Sequence, residues 1–302
     1  MNDLTPIRRK TARDFPKEVL ELYDFYVHGR ITKREFLDRA ARFAVGGVTA
    51  AVFLHQLSPN YALAQQVAPD DPEIETSRIT YQSPDGNGAV NAYLVRPAGV
   101  TEKLPAVLVV HENRGLNPYI EDVARRLGKA GFMAMAPDGL TSVGGYPGND
   151  DQGRELQQQV DPEKLMNDFF AGFEYLLARD DSTGRVGAVG FCYGGGVVNA
   201  ISVAYPELAA GVPFYGRRPS PDEVGAIEAP LLFQFAETDD GVNAGWPEYE
   251  AALKANGKDY VAYIYPGTNH GFHNDTTPRY DAAAAELAEQ RTIAFFNEHL
   301  KS

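Results

Sequence analysis

Cysteine is almost missing from this chain: Cys192 is the only one in 302 residues. An intramolecular disulfide and a Cys-rich zinc site are therefore excluded. The count does not choose a compartment, because a disulfide-free protein folds in any of them. Positive charge is also scarce. With 28 Lys+Arg against 41 Asp+Glu, the formal net charge is −13, which argues against nucleic acid as a partner. Long apolar runs are missing too. Residues 43–64 carry no Asp, Glu, Lys or Arg, but Gly46, Gly47, Ser58 and Pro59 interrupt them, so no stable membrane span is expected. No internal repeat or low-complexity tract stands out.

What is there is ordinary for a globular chain, with 44% hydrophobic and 23% charged residues. The charge is unevenly spread. Residues 1–42 hold 10 Lys+Arg and 7 Asp+Glu, so they carry +3 and the rest carries −16. That contrast divides the chain into an extension, residues 1–68, and a main domain, residues 69–302. In the extension, Val19, Leu20, Leu22, Tyr23 and Tyr26, then Phe36, Leu37, Ala40 and Ala41, have helical spacing. Thr32-Lys33-Arg34-Glu35-Phe36-Leu37 resembles a twin-arginine export motif with lysine in the first arginine's place. Ala62-Leu63-Ala64 is like an A-x-A cleavage site. Two readings follow: a signal for a periplasmic protein, or a helical appendage that stays on a cytoplasmic one.

The main domain alternates strands and helices. Ser77–Ser83 and Ala89–Arg96, joined by Pro84-Asp85-Gly86-Asn87-Gly88, read as a β-hairpin. Ala106–His111 is a continuous apolar run, as expected of a strand buried on both faces. Helices are expected over 118–130, 162–179, 195–204, 247–256 and 280–299. Further strands are expected over 132–136, 186–191, 209–215, 230–235 and 260–265. Residues 141–160 are polar, Gly-rich and without clear period, as a rim over a site would be. This order predicts an α/β fold, a mostly parallel central sheet with helices on both faces.

The chemistry centres on Gly190-Phe191-Cys192-Tyr193-Gly194-Gly195. Small residues two positions either side of a nucleophile are the mark of the nucleophile elbow, here with Cys in the usual place of Ser. The elbow explains the Gly-rich stretch 190–196, so nothing calls for a redox cofactor. In parallel sheets functional groups gather beyond the C-terminal strand ends. There the sequence places His111-Glu112-Asn113-Arg114-Gly115, then Cys192, then Asp239-Asp240, then His270. Nucleophile, acid, base is the chain order of α/β-hydrolases. His270 can take the thiol proton and return it to a leaving group. A carboxylate behind it, Asp239 or Asp240, would fix its tautomer. Backbone N–H groups of Tyr193 and Asn113 are the candidate oxyanion donors.

With those residues in hand, residues from about 78 to 302 resemble the dienelactone hydrolase family (carboxymethylenebutenolidases), cysteine members of the α/β-hydrolase superfamily. The motifs that carry the likeness are His111–Gly115, Ala136-Pro137-Asp138, Gly190–Gly195, Asp239-Asp240-Gly241-Val242 and His270-Gly271-Phe272. The resemblance implies an α/β-hydrolase fold and hydrolysis of a small ester or lactone through a Cys192–His270–Asp239 triad. It favours Asp239 over Asp240, because Val242 fills the aliphatic place three residues on. It also implies that Glu112 contacts the resting nucleophile and is displaced by substrate. The family grips a substrate carboxylate with arginines, one shortly after the catalytic His. Here that place is held by Asn274, and Arg114, Arg217, Arg218 and Arg279 are the arginines at hand. Two other readings stand beside this one: an idle hydrolase scaffold that only binds, and a metal site built from His270, His273, Asp275 and His111, whose spacing lacks the helical i,i+4 pattern.

Overall fold

The computed structural model describes residues 9–44, 46, 48–61 and 65–301; Ala62-Leu63-Ala64 lies outside them. Eight strands form one sheet in the order β1-β2-β4-β3-β5-β6-β7-β8. Strands β1 (Ile74–Ser83) and β2 (Gly88–Pro97) make the antiparallel hairpin, and β2 runs antiparallel to β4 (Met133–Pro137). From there β3 (Leu104–Val110), β5 (Ser182–Phe191), β6 (Leu208–Phe214), β7 (Leu231–Ala236) and β8 (Tyr260–Tyr265) are parallel.

The apolar run of β3 is explained by its two faces. Val107 and Val109 join a core with α4 (Pro118–Lys129) and α10 (Ala282–Leu300), including Ile120, Val123 and Phe296. Ala106, Leu108 and Val110 point the other way, into a core with α6 (Pro162–Ala178) and α7 (Tyr193–Ala204), including Phe169, Phe173 and Val198. Alternating side chains with both faces covered leave no polar position on the strand. Local signals set the helix starts. Asn117 accepts from the Ile120 N–H at 3.1 Å and Pro118 follows at the first turn of α4. Asp161 caps α6 in the same way, before Pro162.

The polar stretch 141–160 contains a helix that its sequence does not advertise, α5 (Asp150–Gln157). Its signal is the cap: Asn149 accepts from the N–H groups of Asp151 and Gln152. No hydrophobic stripe was needed, because buried Asp150 anchors it by polar bonds to Arg114, Tyr61 and Tyr146. Two helices complete the domain, α8 (Asp240–Asn243) and α9 (Trp246–Ala255).

The extension folds into α1 (Lys17–Val27), α2 (Lys33–Ala40) and α3 (Ala50–Leu57). Thr32 and Glu35 form a capping box at the start of α2, so the Lys33-Arg34 pair sits in a first helical turn. Val19, Tyr23, Tyr26, Phe36, Phe53 and Leu57 make a core of their own. Among the described residues no helix is long and apolar enough to cross a membrane.

The helical unit is docked on the main domain by polar contacts at the C-terminal end of the sheet. Asp24 pairs with Arg279 at 3.2 Å, Lys33 with Asp151 at 3.4 Å, and Arg154 lies over the Tyr26 ring at 4.2 Å. Asn113 Nδ2 donates to the Val27 carbonyl at 2.7 Å. Of the two ion pairs, Lys33–Asp151 follows the net charges of the two parts and Asp24–Arg279 runs against them.

Candidate active site

Cys192 stands between β5 and α7 with φ 56° and ψ −112°. A left-handed backbone at a non-glycine residue is strained, and the surroundings must enforce it. They do so by close approach. A β-carbon on Gly190 would lie 2.2 Å from the Gly194 carbonyl oxygen, and one on Gly194 2.3 Å from the Val110 carbonyl oxygen. The Cys192 N–H donates to the Phe214 carbonyl at 3.1 Å, which ties the turn to β6.

The loops after β7 and β8 bring the acid and the base. Asp239 Oδ2 is 2.5 Å from His270 Nδ1, and both side chains are buried, at 7% and 8% exposure. Asp240 is exposed and opens α8 instead. With Nδ1 engaged by Asp239, His270 turns Nε2 toward the sulfur. The ligand atoms of Cys192, His270 and a third residue, His28, all lie within 4.8 Å of one another.

Sequence reasoning missed His28. It ends α1, and its Nε2 is 3.4 Å from Cys192 Sγ and 3.3 Å from His270 Nε2. The two imidazole rings meet edge to face at 4.6 Å. His28 Nδ1 is held by Asp24, through the carbonyl at 2.8 Å and the carboxylate at 3.2 Å. A lone histidine on a helix end carries no signal by itself. The one available hint was the opposite charge of the extension and the domain.

Electrostatics make the thiol acidic. Burial pushes it up, but the positive fields of His270 and His28, with hydrogen bonds from both, prevail and bring it down to about 6. Burial lowers His28, while the Cys192 thiolate and Asp24 carry it up to about 9. His270 is likewise lowered by burial and raised further by Asp239 and the thiolate, ending well above its ordinary value.

Other predicted residues lie elsewhere. Glu112 is buried at 2% exposure, and its Oε2 accepts from Asn274 Nδ2 at 2.9 Å. The asparagine in the arginine's place thus takes up this carboxylate, and the hydrogen bonds to the Cys192 sulfur come from His28 and His270. Arg114 is buried in an ion pair with Asp150 at 2.8 Å and does not line the cleft around the sulfur. Arg279 reaches the cleft but is spent on Asp24. The metal group read from the sequence does not assemble. His273 faces the Tyr119 hydroxyl at 2.7 Å and is kept neutral by burial, Asp275 pairs with Arg126 at 2.8 Å, and His111 Nε2 accepts from the Gly139 N–H at 3.1 Å.

Around the sulfur opens a cleft of about 1560 Å³. Its walls come from both parts of the chain: Leu20, Phe25 and Arg30 on one side, Asn113, Tyr215 and Arg217 on the other. A small organic substrate fits such a volume, and the helical unit forms its roof.

Comparison with known proteins follows the same division. The model of the dienelactone hydrolase family matches residues 90–300, and a separate one, YqhI-like, matches residues 7–44. A protein of Saccharolobus solfataricus named as a carboxymethylenebutenolidase is 31% identical over 250 residues, covering 70% of this chain and 95% of that one. A hydrolase fragment of Escherichia coli K12, YghX, is 69% identical over 115 residues, 38% of this chain and 98% of the fragment. Among solved structures, one named as a dienelactone hydrolase from Klebsiella pneumoniae superposes with a TM-score of 0.65 at 24% identity, covering 74% of this chain and 99% of that one. At that identity the likeness speaks for the α/β-hydrolase fold.

Proposed function

The chain belongs to the dienelactone hydrolase family, enzymes of ester and lactone hydrolysis, and from that premise we propose that it cleaves its substrate through an acyl-thioenzyme on Cys192. What supports this reading is one observation: the strained Cys192 thiol lies beside an imidazole whose far nitrogen is held by buried Asp239 at 2.5 Å.

The chemistry follows from that arrangement. The thiolate attacks the acyl carbon, and the carbonyl electrons move to oxygen. Backbone N–H groups of Tyr193 and Asn113, one after the nucleophile and one on the loop after β3, are where an oxyanion would be received. His270, protonated on both nitrogens, gives its Nε2 proton to the alkoxide as the C–O bond breaks. The alcohol, or the opened end of a lactone, leaves. His270 then takes a proton from water, which attacks the thioester, and the thiolate is released with the acid.

Asp239 holds the Nδ1 proton and stabilises the imidazolium throughout. Glu112, bonded by Asn274, buttresses the loop that carries Asn113. The extension, residues 1–68, is part of the proposal as a retained roof, because its α1 lines the cleft. Substrate is a small ester or lactone. Arg114 and Arg279 are both spent on carboxylates of the protein, so neither is assigned a substrate carboxylate; Lys17, Arg30, Arg217 and Arg218 are the other Lys and Arg side chains that line the cleft.

The test is a panel of small esters and lactones with the intact protein and Cys192→Ala. The intact protein should turn over members of the panel. The variant should lose hydrolysis while its circular dichroism and melting point stay close to those of the parent. Undiminished turnover in the variant would sink the assignment.

A further inference from the structure

We infer that Cys192, His28 and His270 form a site for a divalent transition metal of the Zn²⁺ type, and that the bound metal holds the enzyme inactive. The second half rests on the reading of Cys192 as nucleophile; the first half does not.

The distances argue for it first. A tetrahedral zinc with Zn–N of about 2.05 Å and Zn–S of about 2.3 Å sets its ligands about 3.3 Å apart for N and N, and about 3.6 Å for N and S. The structure has 3.3 Å between the two Nε2 atoms and 3.4 Å between His28 Nε2 and the Cys192 sulfur.

The two rings are also oriented for a metal. Each histidine has its Nδ1 turned outward onto an aspartate, His270 on Asp239 at 2.5 Å and His28 on Asp24 at 3.2 Å. Each Nε2 is left turned inward at the sulfur, free to coordinate once its proton has gone. Carboxylate–histidine pairs of this kind surround zinc sites and fix the tautomer the metal needs.

Around a thiolate, the two imidazole nitrogens and the sulfur cannot all be satisfied by hydrogen bonds alone. If both rings donate to the thiolate, two N–H groups face each other along the remaining 3.3 Å edge. If only one ring donates, the other contact sets lone pair against lone pair. A dication between the three serves every edge at once. One thiolate and two imidazoles suit zinc in ligand type, and three protein ligands leave a fourth position open to the cleft.

The step balances in protons: the Nε2–H protons of the two imidazoles, and the thiol proton where it is still present, pass to solvent as the two nitrogens and the sulfur donate lone pairs to the metal. The sulfur lone pair is then withheld from an acyl carbon. His28 comes from the helical extension and the other two ligands from the main domain, so the metal also clamps the roof shut. Zinc binding should therefore both inhibit and stabilise, since a ligand that binds only the docked form favours it.

The experiment uses the full chain, stripped with a chelator and dialysed. Co²⁺ is the probe, followed by its thiolate-to-metal charge-transfer absorption. One Co²⁺ per chain should bind with that band, and Zn²⁺ should displace it. Zn²⁺ should also block both alkylation of Cys192 by iodoacetamide and ester hydrolysis, and chelator should restore both. His28→Gln should weaken binding by at least about 100-fold, more than is usual for loss of an outer-sphere group. A missing charge-transfer band in the intact protein, or alkylation indifferent to Zn²⁺, overturns the site. Hydrolysis that is lost on chelation overturns the inhibitory role. A chelated protein that binds Co²⁺ with the band yet hydrolyses nothing on the panel supports the site and contradicts the thiol-hydrolase reading instead.

Discussion

Asp239→Asn is the substitution in which geometry and chemistry are most tightly linked. Its carboxylate is 2.5 Å from His270 Nδ1 and both side chains are more than nine-tenths buried, so water screens the pair poorly. At the effective dielectric of partly buried sites, an ion pair about 4 Å between charge centres contributes about 4 kcal/mol. Asparagine keeps the shape and removes the charge. At about 1.4 kcal/mol per factor of ten, kcat/KM for ester hydrolysis should fall about 1000-fold. The same change should appear in the thiol. The parent Cys192 titrates at about 6 because of the positive fields of His270 and His28. A depressed thiol pKa means thiolate is present above about 6 and lost below it. Without Asp239 the His270 charge is less stable, and the pH profile of iodoacetamide alkylation should move up toward the ordinary thiol range near ~8.5. The assay is steady-state hydrolysis and alkylation against pH, both with chelator present. Asp240→Asn, at an exposed neighbour, is the control and should change activity no more than a few-fold. Activity within about threefold of the parent in Asp239→Asn, with an unshifted alkylation profile, would refute the assignment of the acid.

Two further substitutions test the scaffold. Gly190→Ala sets a β-carbon 2.2 Å from the Gly194 carbonyl oxygen; overpacking of this kind costs about 1–3 kcal/mol or more, and both the melting point and the hydrolysis rate should drop. A variant that melts and turns over like the parent would mean the elbow is looser than described. Asp24→Asn removes the partner of Arg279 and of His28. Asp24 is partly exposed, so the docking should weaken by about 1–2 kcal/mol, and amide exchange in α1 and α2 should quicken by about 5- to 30-fold. Unchanged exchange would show that the contacts of Lys33, Val27 and Tyr26 hold the roof without Asp24.

The fold was legible because buried parallel strands leave a plain trace. The run from Ala106 to Val110 and the glycines around Cys192 each have one structural solution, and β8 spans Tyr260–Tyr265 as its sequence suggests. The grouping of Cys192, Asp239 and His270 was legible for a related reason, since residues after parallel strands share one end of the sheet. What stayed hidden was polar and long-range. Helix α5 has a cap but no stripe, and it is anchored by Asp150 rather than by leucines. Arg114 and Arg279 were candidates for a substrate carboxylate in sequence, and only the fold shows the carboxylates they meet. His28 lies 164 residues before Cys192, on a segment whose own pattern says only that it is helical. No local rule joins it to the nucleophile; that takes the docking of two separately built cores.

The acyl-thioenzyme is where the account is most directly exposed. Acid quench during turnover of an activated ester, followed by peptide mass spectrometry, reads it. The acyl mass is expected on the peptide that contains Cys192, formed and consumed at rates that match turnover, and missing in Cys192→Ala. Full turnover with no adduct, or the acyl group on another side chain, would contradict it.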